Sequence, residues 1–351
     1  MKPEKLLDAL NDIDSDLIAG AHAPQTRSRP RFTLLIAAIL ATAALTATAF
    51  ASETISGWFK SYFEERTHAS LTAEQVQFIE EHEQVLAETQ TQNGYQLELK
   101  SVLADNHTIY ITLGLTAPTH IPFDDAVQMD FQSFDFYDHN HKTPQSFSAH
   151  SEMTGNTAEI MLEYNLGSWN EGDLWTLRIE ELTTVFHDTE YEQNLLDTKY
   201  AGQRNIMLTD EEAAQVYKYD TLAKGPWEFT IDLSKATASE LELITDPITV
   251  QSCCGFKPDG TLVYEEVTIT SVILRSLSAT IFTEYTESRA APDFTPTVDD
   301  QIFVIMKDGS RIQLYPDFGM TGKAHFTAAS PIVLTEVDHV LLSDGTKIMA
   351  P

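Results

Sequence analysis

The densest group of side chains able to bind a metal ion lies at residues 135–141, in the sequence Asp-Phe-Tyr-Asp-His-Asn-His. Carboxylates and imidazoles are common ligands of divalent metals, and Asp138, His139 and His141 supply both kinds. Their spacing matches no standard metal-binding loop, and the same residue types suit a polar turn after a strand. We therefore predict a turn, with no metal and no cofactor, and keep metal binding as the less favoured alternative.

The two cysteines of the chain, Cys253 and Cys254, are adjacent. A fold stapled by disulfides would need more cysteines at wider spacing, so the fold must depend on its hydrophobic core. Neighbouring cysteines can bridge only through a strained small ring, which would make them a redox pair. We favour two ordinary thiols in or beside a strand and keep the redox pair as the alternative.

The sequence lacks the motifs of common catalytic sites. It has no Gly-x-Ser-x-Gly turn, no His-Glu-x-x-His pair and no glycine-rich phosphate loop. Aspartate and glutamate total 53 residues, so carboxylate pairs must arise by chance and none can be singled out as an acid and base. We predict a binding or sensing protein with no catalytic residues, and keep a hydrolase with an unrecognised carboxylate site as a minor alternative.

The charge of the chain limits its partners. The formal net charge is -31, and residues 1–31 hold five basic and five acidic side chains, so nearly all of the charge belongs to the remainder. Such a surface repels nucleic acid and anionic lipid. We expect no nucleic-acid partner and interpret the charge as a solvated surface that keeps an exported protein soluble.

An apolar run from Phe32 to Phe50 contains no charge, no glycine and no proline. A helix of this length is about 28 Å long, close to the ~30 Å hydrocarbon core of a bilayer. The basic residues Arg27, Arg29 and Arg31 precede the run and acidic residues follow it, and basic residues stay on the cytoplasmic side. The pattern predicts a single-pass protein of the cell membrane with residues 1–31 inside and residues 51–351 outside.

A cleaved signal peptide is the main alternative to this anchor. The sequence Ala49-Phe50-Ala51 has the small-x-small pattern of a signal-peptidase site. Five acidic side chains in the preceding 31 residues make a poor signal-peptide start, so we favour the uncleaved anchor. A buried soluble helix is the least favoured interpretation.

Residues 1–22 contain one amphipathic helix, followed by a basic linker at 23–31. Aspartates lie opposite an apolar line, and a lone helix of this length is marginal in water. We predict that it docks in the groove of a cytoplasmic protein. The alternative, a helix lying on the inner membrane surface, is disfavoured because both the aspartates and that surface are negative. The predicted partner-binding residues are Leu6, Leu10, Ile13 and Leu17.

The exported part is predicted to be mainly β, with a helical neck at 51–92 and two antiparallel β-sandwich-like domains at 93–238 and 239–351. In the neck, an aromatic helical face either sits among lipid headgroups or clamps the exported domain down near the bilayer. A capping box at Thr72 and Gln75 starts a helix that extends to about Glu88. From Tyr95 the hydrophobic period changes from 3.6 to 2, which indicates strands. The aromatic face consists of Ile55, Trp58, Phe59, Tyr62 and Phe63. The expected strands cover 95–99, 109–113, 129–136, 158–164, 174–186, 227–233, 241–250, 261–267, 269–282, 302–306, 311–315, 332–342 and 346–349, with a turn at 104–107 and a short helix at 210–217.

This order of parts resembles a known family. The opening from Leu6 to Ile18, followed by an arginine-flanked membrane helix, resembles membrane-bound anti-sigma-factor-like proteins of Gram-positive bacteria. Residues 57–63, 93–115 and 225–231 resemble "domain of unknown function 4179", and residues 335–345 resemble the smaller β-domain that often follows it.

The resemblance implies a regulator that holds an extracytoplasmic-function sigma factor at the membrane and responds to an outside condition. Zinc-binding anti-sigma domains use His-x-x-x-Cys-x-x-Cys, whereas no cysteine precedes Cys253 here. The helix from Leu6 to Ile18 would therefore bind a sigma factor without zinc. The alternative function is an extracellular binding or adhesive module with no regulatory role.

Overall fold

The computed structural model describes residues 56–119, 123, 127–166, 174–201, 208–233, 236, 239–256, 262–284, 302–320 and 322–351. All of them belong to one structural unit, residues 51–351. Among these described residues, no helix combines the length and apolar character needed to span a bilayer. The expected partner-binding and membrane-flanking residues lie outside the described residues, as does the apolar run 32–50: Leu6, Leu10, Ile13, Leu17, Arg27, Arg29 and Arg31.

Four α-helices occur in the described part of the chain. The predicted capping box is confirmed, because the Gln75 amide donates to Thr72 Oγ1 at 3.3 Å and the Thr72 amide donates to Gln75 Oε1 at 3.0 Å. The expected extension of this helix to Glu88 is wrong, since the backbone becomes extended at Glu83 and the following residues pair as a strand. The helices are α1 Ser56–Thr67, α2 Ala73–His82, α3 Thr189–Thr198 and α4 Asp210–Val216.

The strands before residue 240 form two antiparallel sheets, here called the first β-body. A five-stranded sheet has the order β1-β2-β3-β7-β6, and in the other sheet β8 pairs with β4, β5 and β9. The predicted mainly β, antiparallel architecture is confirmed for this region. The strands are β1 Gln84–Gln92, β2 Tyr95–Ala104, β3 Thr108–Thr116, β4 Val127–Asp130, β5 Phe134–Asp138, β6 Ser146–Thr154, β7 Thr157–Asn165, β8 Leu174–His187 and β9 Tyr217–Asp232.

One hydrophobic core joins the two sheets of the first β-body. Alternate side chains of strands such as β2, β5 and β9 point into it, as the period-2 pattern predicts. Burial of this apolar surface is the main stabilising term of the body. Its fully buried members include Leu97, Leu99, Ile111, Trp175, Leu177, Trp227 and Phe229.

Edge strand β1 is fastened to β9 of the other sheet by side chains. Gln90 accepts from the Glu228 amide at 3.1 Å and donates to its carbonyl, and Asn93 Nδ2 donates to the Lys224 carbonyl at 2.7 Å. Strand β9 also passes very close to β8 at Gly225. A Cβ atom added to this glycine would lie only 2.4 Å from the Ile179 carbonyl oxygen. These side-chain bonds satisfy backbone groups on the edge of β9 that faces away from β8.

The remaining strands form one eight-stranded antiparallel sheet, here called the second β-body. Its order is β10-β11-β12-β15-β14-β13-β16-β17, and its end strands contact each other, so the expected second sandwich is a single curled sheet. Strand β11 runs on through Thr268 to Leu274, so the expected break near residue 268 is wrong. The strands are β10 Leu241–Phe256, β11 Leu262–Leu274, β12 Ser278–Glu284, β13 Ile302–Met306, β14 Arg311–Met320, β15 Lys323–Ala328, β16 Val337–Leu341 and β17 Lys347–Met349.

Candidate functional site

Helix α1 is packed into the junction between the two β-bodies. Phe59 and Phe63 are fully buried and pack the helix against the β-bodies, while the expected position near a bilayer stays a prediction. The cluster around them draws on α1, α2, the first β-body and the β11–β12 turn of the second. Its buried members are Phe59, Phe63, Ile79, Leu103, Tyr110, Met161 and Leu277.

A charged side chain follows this aromatic face in the last turn of α1. Arg66 Nη1 donates to Glu163 Oε2 on β7 at 3.0 Å and to the hydroxyls of Tyr110 at 3.1 Å and Tyr62 at 3.3 Å. The guanidinium carbon also lies 4.8 Å from the ring centre of Tyr315 on β14, a cation–π distance. One side chain of α1 thus contacts both β-bodies.

The Arg66–Glu163 pair is largely shielded from water, with side-chain exposures of 19% and 8%. Burial lowers the pKa of Arg66, but the neighbouring Tyr110 and Glu163 outweigh it and raise that pKa, so Arg66 remains charged. Burial raises the pKa of Tyr62 to about 12, opposed by Arg66 and assisted by Glu163, to which the Tyr62 hydroxyl donates at 3.2 Å. The Arg66 cation is therefore surrounded by neutral phenols.

A cleft of about 440 Å³ lies beside this pair, and we call it the Arg66 cleft. Asp317 of β14 reaches it from the register shift between Pro316 and Phe318. The carboxylate of Asp317 accepts from Thr327 Oγ1 at 2.6 Å. The lining residues are Tyr62, Arg66, Ser148, Ala149, His150, Met161, Glu163, Tyr315, Pro316 and Asp317.

The pKa of Asp317 in this cleft is shifted into the neutral range. Burial, assisted by the negative charge of Glu163, raises its pKa to about 7, while the bond from Thr327 and the charge of Arg66 act in the opposite direction. Its charge therefore changes near neutral pH, whereas an ordinary aspartate stays ionised there.

A second polar contact joins the β-bodies through Asp105, which is completely buried in the β2–β3 turn. Its Oδ1 accepts from the amides of His107 and Thr108, both at 2.8 Å. Its Oδ2 accepts from the Leu277 amide at 2.8 Å and the Ser278 hydroxyl at 2.9 Å. Burial raises the pKa of this carboxyl, and its backbone donors oppose the rise. One carboxylate therefore holds the turns of both bodies together.

Two further contacts cross the same junction. The rings of His107 and His325 stack at 4.2 Å, and burial, assisted by Lys323 and Arg275, lowers the pKa of His325 to about 4. Gln75 Nε2 on α2 donates to Ser330 Oγ at 3.1 Å and to the carbonyl of residue 331 at 2.7 Å. Both neck helices are thus attached to the β-bodies.

The sequence around Asp138 forms the expected polar turn after β5. Asp138 Oδ1 accepts from the amides of Asn140 and Lys142, both at 2.8 Å. His141 has φ of 59° and stacks on the ring of Tyr137. Within the described ranges, no group of three or more His, Cys, Asp or Glu side chains is arranged to hold a metal ion.

The cysteines lie in β10, where Cys253 is opposite Tyr264 and a register shift separates Cys253 from Gly255. The strand position matches one of the expected settings. The structure describes their backbone only.

The charged residues of the junction, Arg66, Glu163 and Asp317, were not singled out from the sequence. Arg66 lies four residues after Tyr62, so helical spacing alone would have placed it at the end of the aromatic face. Glu163 is 97 residues from Arg66, and no local pattern connects them. The turn containing Asp105 was predicted, but its contact with the second β-body was not.

Residues 26–116 match the family model described as Domain of unknown function (DUF4179). This stretch contains the apolar run, both neck helices and strands β1 to β3. Three stretches carried the sequence resemblance to this domain. Residues 57–63 and 93–115 lie inside the matched range, and residues 225–231 lie outside it.

No curated protein matches the chain. One similar solved structure is a conserved domain protein from Bacillus anthracis, 10% identical, with a TM-score of 0.38, covering 74% of this chain and 76% of that chain. Another is S. aureus TarS, 8% identical, with a TM-score of 0.18, covering 77% of this chain and 46% of that chain.

Proposed function

We propose that the chain is a single-pass membrane regulator. In this proposal the outer β-bodies sense or bind an extracellular factor, and the inner helix binds a cytoplasmic sigma-type partner. The observation that carries it is the position of α1, which starts six residues after the apolar run and is held between both β-bodies by Phe59, Phe63 and Arg66.

The position of α1 supplies a route for a signal. A factor that binds one arrangement of the β-bodies more tightly than another shifts the population toward that arrangement. Because α1 contacts both bodies, such a shift changes the packing or the orientation of α1. The segment that enters the apolar run would then respond to the outer domain.

The inner helix is tested by charge substitutions on its apolar line. Each of Leu6, Leu10, Ile13 and Leu17 would contribute about 1–3 kcal/mol when fully buried in a partner groove. In a pull-down with the tagged full-length protein, Leu10→Asp or Ile13→Asp should lose the sigma-type partner while the outer domain stays folded. Asp12→Asn, on the polar side of the same helix, is the matched control and should retain it.

Deletion of residues 1–22 separates this function from an adhesive or binding module. A regulator loses its transcriptional effect on deletion, whereas an adhesive module does not. Full partner retention by Leu10→Asp and Ile13→Asp would contradict the proposal.

We further propose that proteolysis near residues 49–52, or within the run, releases the inner helix, because the small residues from Ala41 to Ala51 would give a protease access. Immunoblots during induction should then show a shortened fragment. A protein that stays intact throughout induction would contradict this route.

A further inference from the structure

The Arg66 side chain uses only part of its hydrogen-bonding capacity. Its three donated bonds all leave from Nη1. Within the described part of the chain, Nε and Nη2 donate to no residue. A guanidinium presents five N–H donors in a planar fork that matches a carboxylate, so donors remain for a ligand.

Glu163 has the complementary property. Its Oε2 accepts from both Tyr62 and Arg66, whereas Oε1 accepts from none of the described residues. Asp317 supplies a second carboxylate to the same cleft, and it interacts electrostatically with both Arg66 and Glu163. The cleft therefore offers unused donors on a cation and an unused acceptor on an anion.

These charges decide the class of ligand. A ligand with only negative charge would meet Glu163 and Asp317, and a ligand with only positive charge would meet Arg66. A molecule carrying both signs can place its carboxylate on Arg66 and its ammonium group between the two carboxylates, with charge-assisted bonds at both ends. The cleft volume of about 440 Å³ lies in the usual range for small-molecule sites.

We propose that the Arg66 cleft binds a small zwitterion, such as a free amino acid or a dipeptide. This inference rests on the proposed function, because it assigns the ligand class of the sensing domain. A ligand in this position touches α1, β7 of the first β-body and β14 of the second. It therefore favours one arrangement of α1 between the two bodies.

The test is calorimetric titration of the full-length protein in detergent with the standard free amino acids and with dialanine, up to about 10 mM, well above a millimolar dissociation constant. At least one compound should bind. Its N-acetylated form, which lacks the ammonium group, and its C-amidated form, which lacks the carboxylate, should each bind about tenfold more weakly.

Variants locate the site. Glu163→Gln and Arg66→Lys should each weaken binding about tenfold, and Arg178→Lys, in an exposed ion pair with Glu180, should leave it unchanged. Ser148→Trp fills the cleft from an exposed position on β6, so it should abolish binding without disturbing the fold, which circular dichroism checks.

Absence of binding by every compound would overturn the inference. Equal binding of the blocked forms, or unchanged affinity in Ser148→Trp, would overturn it as well. Partner retention in the pull-down is independent of these titrations. A failure here with an intact partner interaction therefore rejects the ligand class and leaves the regulator proposal standing.

Discussion

The Arg66 guanidinium lies 3.0 Å from the Glu163 carboxylate and thereby joins helix α1 to strand β7. Around this pair, Tyr62 and Tyr110 add hydrogen bonds from the first half of the chain, and Tyr315 adds a ring contact from the second β-body. Helix α1 is thus held at its last turn by both β-bodies. Removal of this one side chain should affect the whole junction.

Replacing Arg66 should reveal how strongly α1 is held. Arg66→Gln leaves Glu163 buried with no cation beside it, and breaking such a pair from one side is strongly destabilising. Because Arg66 is partly exposed, the cost should be smaller than for a fully buried pair. We expect the free energy of unfolding, measured by urea denaturation, to fall by about 2–3 kcal/mol.

The matched control is Arg178→Gln, which breaks exposed ion pairs with Glu180 and Glu228 on the first β-body. Exposed pairs contribute less than about 1 kcal/mol. Equal losses in the two variants would show that the Arg66 pair is no stronger than a surface pair.

Truncation of the aromatic face should detach the helix. Phe63 is fully buried, and Phe63→Ala removes its contacts and leaves a cavity, at a cost of about 3–5 kcal/mol. Hydrogen exchange of the α1 amides should accelerate more than exchange in the core of the first β-body. Tyr191→Ala on exposed α3 is the control, and unchanged protection of α1 in Phe63→Ala would contradict the clamp.

Much of the β architecture was predictable because alternation of apolar and polar residues leaves a pattern in sequence. Leu97, Leu99, Ile109 and Ile111 alternate with other residues, and all four are fully buried in the hairpin that was predicted. The local chemistry of the Thr72 capping box was likewise visible. These features involve residues close together in the chain.

Strands without apolar alternation were missed. Strand β1, with the sequence Gln-Val-Leu-Ala-Glu-Thr-Gln-Thr-Gln, has no fully buried face. It is extended because it pairs with β2 and because Gln90 bonds to the backbone of β9. Strand β6 is similarly exposed along its length, so its position depends on pairing with β7 rather than on its own pattern.

The junction could not be predicted for a related reason. Asp105 meets Leu277 across 172 positions of the chain, and the spacing between such residues carries no signal. An abundance of acidic residues also hides the few that are buried. Only tertiary packing distinguishes Asp105 and Asp317 from the acidic residues on the surface.

Asp105 should be required in its carboxylate form. Two donors bond to each of its oxygens. In Asp105→Asn an NH₂ group replaces one oxygen, so the two donors that bonded to this oxygen would face N–H groups and lose their acceptor. Each unsatisfied buried donor costs about 1–3 kcal/mol, so we expect a loss of about 2–4 kcal/mol in urea denaturation. Asp344→Asn, at an exposed turn where Oδ1 accepts from the Thr346 amide, should be nearly neutral, and a similar small loss at Asp105 would contradict its bridging role.

Asp317 should make stability fall as pH rises toward neutrality. The folded-state pKa of about 7 exceeds the ordinary value of 3.8, so between these values the folded protein binds a proton that the unfolded chain does not. Its stabilising effect is complete below about pH 4 and is lost as pH rises through 7. Asp317→Asn is uncharged at every pH and keeps an acceptor oxygen for Thr327, so it should match the parent at about pH 3 and exceed it by a difference that grows to about 1–3 kcal/mol at about pH 8, allowing for partial exposure.

The comparison of Asp317→Asn with the parent isolates this group from His325. The pKa of His325 is lowered to about 4 from 6.5, so its contribution is lost as pH falls from 6.5 toward 4, which opposes the effect of Asp317. Both proteins keep His325, and subtracting their unfolding free energies at each pH removes its effect. A difference that stays constant between about pH 5 and pH 8 would mean that Asp317 does not titrate in this range, and the Arg66 cleft would then hold a permanent second carboxylate.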